Sequence, residues 1–128
     1  MVGGSLAHIS GTIRGWALQP AVVAGQSMEP ALPEGAWVLV RRLARSGPRL
    51  GQVVIVEHPQ RPGLELIKRV SAVSRERRMV WIAGDNRGSS TDSEDFGPVP
   101  LELIRGSVWL RLKPLPWRWL RPRPGLLG

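Results

Sequence analysis

The sequence predicts an all-β domain of antiparallel strands, and three observations lead there. Twelve prolines and fifteen glycines are spread along the 128 residues and interrupt the chain too often for long helices. The apolar runs between them are short and rich in Val and Ile, a composition that suits strands. Turn signals such as Pro33-Glu34-Gly35, Ser46-Gly47-Pro48, His58-Pro59 and Arg61-Pro62-Gly63 separate those runs. A chain of this length buries one core, so a single small domain is expected.

Residues 1–20 contain Gly3, Gly4, Gly11 and Gly15 without a clear period and read as a loose arm or one weak helix. The ordered body is expected over residues 21–113, with strands at 21–24, 37–40, 53–57, 64–73, 79–83 and 108–112. Residues 84–98 form a long polar loop, and residues 100–104 suit one helical turn. Residues 114–128 make a basic tail rich in Trp and Pro. No acidic residue follows Glu102, whereas Arg105, Arg111, Lys113, Arg118, Arg121 and Arg123 do, interleaved with Trp109, Trp117 and Trp119. That tail reads either as an interfacial membrane anchor, because Trp rings and arginines suit the headgroup region, or as an extension packed on the body.

The absence of cysteine excludes disulfides, thiolate metal sites and a cysteine nucleophile. His8 and His58 lie far apart without companion ligands, so neither a metal nor another cofactor is expected. The net charge of +8 favours nucleic acid or anionic membrane, or else reflects genomic composition. Of the eighteen basic residues only Lys68 and Lys113 are lysines. No run approaches the roughly 18 to 20 apolar residues of a membrane span, and the N-terminus lacks the pattern of a secretory signal. A cytoplasmic location follows as the expectation, with peripheral attachment to a membrane as the alternative.

Three segments carry the candidate chemistry. Gly25-Gln26-Ser27-Met28-Glu29-Pro30 is a tight loop around a serine, which by itself is equally an ordinary turn. In Leu64-Glu65-Leu66-Ile67-Lys68-Arg69-Val70, strand alternation puts Lys68 on the face of Leu64, Leu66 and Val70. A lysine on an apolar face either snorkels to water or loses its proton more readily, because desolvation disfavours the ammonium form, and the neutral amine is a base. The third segment, residues 84–98, begins Gly84-Asp85-Asn86-Arg87 and is rich in side chains that tie a loop to its own backbone. A Ser-His-Asp hydrolase would need His58 as base, but that residue sits in a Pro-containing turn and no Gly-x-Ser-x-Gly elbow exists.

These segments, with Gly51-Gln52-Val53-Val54, Asp92-Ser93 and Phe96-Gly97-Pro98-Val99, together resemble the signal peptidase I family over about residues 22–112. Within it the chain looks most like the short soluble form that matures nickel-type superoxide dismutase. The resemblance implies a fold like the signal peptidase catalytic core and a serine endopeptidase with a Ser-Lys dyad and no cofactor. Ser27 would be the nucleophile, Lys68 the general base, and Ser90 the hydroxyl that orients the amine. Met28 would line the site, and the Ser27 N–H would contribute to the oxyanion hole; Gly25 stands where some members have a second serine. Arg69, Asp85, Asn86 and Asp92 would support the site. Glu94 stands where an arginine often pairs with the aspartate matching Asp92, leaving Arg69 or Arg87 for that role. Ala36 and Gln52 replace aspartates, which should weaken two turns.

The implied substrate is a leader peptide, that of the nickel superoxide dismutase precursor, with exported preproteins as the alternative. The tail would add peripheral membrane contact, and no nucleic-acid partner is expected. The competing class is a basic module that binds nucleic acid or membrane without catalysis.

Overall fold

In the computed structural model, which describes residues 6–9, 18–86 and 96–120, short Val- and Ile-rich runs pair edge to edge as antiparallel strands. They are β1 (Leu6–Ile9), β2 (Leu18–Ala24), β3 (Trp37–Arg41), β4 (Val53–Glu57), β5 (Glu65–Ser74), β6 (Met79–Ala83), β7 (Val99–Pro100), β8 (Ile104–Lys113) and β9 (Arg118–Trp119). A single 3-10 turn, Leu101–Leu103, leads into β8, where one helical turn was expected. The fold is all-β.

Hydrogen bonding runs in the order β1-β2-β3-β8-β4-β5-β6-β7, with β9 added to β8. Strand β1 also pairs with β5, Leu6 opposing both Ala24 and Leu66, so β1, β2, β3, β8, β4 and β5 close into a ring. The first segment, expected as a loose arm, thus contributes a strand at Leu6–Ile9. Its glycines hide any period, but the free edges of β2 and β5 offer backbone groups that a short strand satisfies. Strand β2 begins at Leu18 rather than 21, and in the tail β9 pairs Trp119 with Leu110.

Alternating side chains divide the interior into two apolar layers. Ala21, Val23, Val38, Val40, Val53, Ile55, Ile67 and Val108 point into the ring. Val54, Val56, Leu66, Val70, Val80, Ile82 and Val99 pack on the other side of β4 and β5, beneath β6 and β7. Strand β4 therefore serves both layers, which explains why its Val53-Val54-Ile55-Val56 run is apolar at every position.

Candidate active site

The loop joining β2 to β3 is held by its own apolar residues. Met28 and Leu32 are fully buried in the ring core, and the Leu32 N–H donates to the Met28 carbonyl at 2.8 Å. Between these anchors and the end of β2 lies Ser27, itself fully buried. Gly25 takes φ +90°, in the left-handed region that a side chain disfavours.

Strand β5 places Lys68 opposite Val54, on the face that carries Leu66 and Val70. The side chain has no exposed surface, so the alternation read from the sequence matches its placement. Arg69 points the other way and is also buried. Its Nε and one terminal nitrogen donate to the Asp85 carboxylate at 2.8 and 2.7 Å, and the other donates to the Gly51 carbonyl at 2.8 Å. The exposures of the pair are 4% and 8%, which makes this a buried, bidentate ion pair.

From that clamp the chain runs directly to the serine loop. Ala83, the last residue of β6, opposes Arg69, and three residues later the Asn86 N–H donates to the Ser27 carbonyl at 2.7 Å. The Asn86 amide also donates to the Gln26 carbonyl at 3.1 Å. On the near side of β5, Gly51 N–H donates to the Val70 carbonyl and Val70 N–H to the Gln52 carbonyl, both at 2.8 Å. Four motifs separated in sequence thus meet around Ser27 and the Lys68–Val70 stretch.

Arg69 and Asp85 both stand among the supporting residues expected from the sequence, but without being paired, and Arg69 or Arg87 is offered there as the partner of Asp92; in the structure Arg69 pairs with Asp85. Gln52 also departs from expectation: its side-chain oxygen accepts from the Arg49 N–H at 3.1 Å and supplies the turn bond that an aspartate would have made. Ser90 and Asp92, with Arg87 and Glu94, lie outside the described residues. Among the described residues no three His, Asp or Glu side chains gather as a metal site.

His58 serves the fold. Its Nδ1 accepts the Gln60 N–H at 3.0 Å and its ring packs on Phe96 at 4.8 Å between centroids, so the Phe96-Gly97-Pro98-Val99 motif fastens the turn after β4. Burial, and then the nearby Arg61 charge, lower its pKa from the ordinary value, in keeping with a neutral ring that accepts a hydrogen bond.

The family described as signal peptidase, peptidase S26, matches residues 2–78, a span that includes both Ser27 and Lys68. The chain belongs to the signal peptidase family. Relatives of this signal peptidase homologue include mitochondrial inner membrane protease subunit 1 of Xenopus tropicalis, 31% identical over 73% of this chain and 68% of the relative. Mitochondrial ATP-independent inner membrane protease subunit 1a of Arabidopsis thaliana is 35% identical over 72% and 68%. Mitochondrial inner membrane protease subunit 1 of Schizosaccharomyces pombe is 33% identical over 84% and 81%. Family and relatives together make this signal peptidase homologue a peptidase.

Two expectations change with these comparisons. The relatives carry names of mitochondrial inner membrane proteases, which overturns the expectation of a cytoplasmic location. The sequence signals used for that expectation detect only a spanning helix or a secretory leader, and neither is the sole route to a membrane surface. Among the described residues no helix is long and apolar enough to cross a bilayer. The nickel superoxide dismutase assignment gains no support from these relatives, whose names concern inner membrane proteases.

Proposed function

We propose that this signal peptidase homologue is a membrane-associated serine endopeptidase that removes a leader segment from a precursor protein, with Ser27 as nucleophile and Lys68 as general base. The observation that carries the reading is the full burial of Lys68 in a domain whose cations are otherwise almost all arginine. An amine taken out of water is the lysine form suited to accept a proton.

In the first step the Ser27 hydroxyl oxygen bonds to the scissile carbonyl carbon while its proton passes to the Lys68 amine. The Ser27 N–H stabilises the oxyanion. Collapse of the tetrahedral intermediate breaks the peptide C–N bond, and the Lys68 ammonium protonates the leaving amine. Water, deprotonated by the same amine, then attacks the acyl carbonyl; the ester C–O bond breaks and the Lys68 ammonium returns its proton to the Ser27 oxygen. Ser90 would orient the amine, Met28 would line the substrate site, and the Arg69–Asp85 clamp with Asn86 would hold the serine loop against β5.

The test is incubation of the purified protein, with and without membranes, with an exported preprotein and with the nickel superoxide dismutase precursor, followed by mass measurement of new N-termini. A single cleavage in either precursor, lost in Ser27→Ala and in Lys68→Ala, is the expected result. Cleavage of only one precursor decides the substrate class. Undiminished cleavage by Lys68→Arg would refute the base assignment, because a guanidinium stays protonated.

A further inference from the structure

Strand β8 buries a charge that the proposed chemistry does not use. Arg111 opposes Val38, and Val38 opposes Ala21, so by the antiparallel register the three side chains share the face that lines the ring. There the arginine keeps only 9% of its surface exposed. Among the described residues no carboxylate answers it, the ion pairs being Arg69–Asp85, Arg78–Glu102 and Arg105–Glu57. Glu29 and Glu34 belong to the β2–β3 loop that Arg111 touches, yet neither pairs with it.

What Arg111 meets in that loop is backbone. One terminal nitrogen donates to the Ala31 carbonyl at 3.4 Å, and the buried Nε has no acceptor among the described residues. Ala31 lies between the buried anchors Met28 and Leu32. Because the Leu32 N–H donates to the Met28 carbonyl, residues 28–32 close into one turn directly after Ser27. A desolvated guanidinium held by one long hydrogen bond opposes folding, and a methionine would fill similar space without a charge. Packing therefore does not account for it. Hydrogen bonds around a resting active site are often long and tighten as the reacting complex forms. An interaction that is stronger in the transition state than before it speeds the chemical step and leaves substrate binding alone.

We propose that Arg111 is a positioning residue for Ser27: from inside the ring its guanidinium holds the Ala31 carbonyl, and through the 28–32 turn keeps the nucleophile aligned during acyl transfer. The role rests on the assignment of Ser27 as nucleophile. It gives the serine loop a second hold, besides the Asn86 bonds to the Gln26 and Ser27 carbonyls.

The test compares Arg111→Met and Arg111→Lys with the parent by thermal melting, by the kinetics of cleavage of whichever precursor the parent cuts, and by amide exchange at Leu32. Arg111→Met should melt at the parental temperature or above, keep the parental KM and lose on the order of 10- to 100-fold in kcat, the scale of a slightly misplaced reacting group. Its Leu32 amide should exchange faster. Arg111→Lys, whose ammonium can still donate to the carbonyl, should recover part of kcat. Three outcomes overturn the proposal: parental kcat in Arg111→Met, a loss confined to KM, or a loss that comes with a lower melting temperature and is not relieved in Arg111→Lys. If the parent cuts neither precursor, the catalytic reading of Ser27 fails, and exchange alone decides the hold on the loop. Faster Leu32 exchange in Arg111→Met then supports that hold, and parental exchange overturns it.

Discussion

Among the fully buried side chains of the described residues Lys68 is the largest, and it occupies a position where Leu66 and Val70 show that an apolar residue would fit. Burying an amine there opposes folding, so Lys68→Met is expected to fold with equal or higher thermal stability while cleaving nothing. A melting curve beside a cleavage assay checks both halves. A buried amine must also shed its proton to act, so cleavage should rise with pH; a rate flat from about pH 6 to 9 with chemistry limiting would contradict the role. At the Arg69–Asp85 pair each partner needs the other. Asp85→Ala leaves a buried guanidinium without its counterion and should cost about 3 to 5 kcal/mol in urea unfolding. His58 gives an acid-side effect: its folded pKa is lowered, so below its ordinary value the unfolded chain takes up the proton first. Stability should therefore fall as pH drops from about 6.5, and His58→Gln should flatten that part of the profile, as read by unfolding at pH 7.5 and 5.5. The burial of Lys68 was legible because strand alternation puts it on the face of Leu66 and Val70. Asp85 as the partner of Arg69 was not, since the sequence gives no reason to prefer one loop aspartate over another before β6 is seen to end beside Arg69.

At the scale of elements, the serine loop is positioned by its anchors rather than by regular structure. Leu32→Ala should cost about 2 to 5 kcal/mol and lower kcat more than it raises KM, because the anchor orients Ser27 without touching substrate. Equal loss in Ser27→Ala backgrounds is the control for stability alone. The strands of the central body were readable from Val and Ile content and turn residues, and 53–57 and 79–83 keep their expected bounds. Strands β1, β7 and β9 escaped because each is short, and their pairing depends on free edges elsewhere in the sheet, which no local pattern encodes. The β8 strand begins four residues early, at Ile104, where it meets Val56 of β4.

Over the whole molecule, β4 and β5 join both apolar layers, so the two should unfold together in one transition. Amide exchange is expected to be slowest in β4, β5 and the centre of β8, and fastest in β7 and β9, which are paired on one side only. Separate exchange regimes for the two layers would contradict the single unit. The closure of the ring through Leu6 has a further consequence, one of timing. Leu6 reaches Leu66 across half the chain, and Asn86 reaches Ser27 across a similar stretch, whereas β4 and β5 are joined by a short turn. Contacts that span long sequence form late, because loop closure must precede their reward. The serine and the lysine are therefore expected to come into register only near the end of folding, and peptide cleavage should lag far-UV circular dichroism during refolding. A chain still unfolded, and still exposing its own cleavable bonds to its neighbours, would be a poor protease. Such an order of folding would hold off self-digestion during synthesis by topology alone.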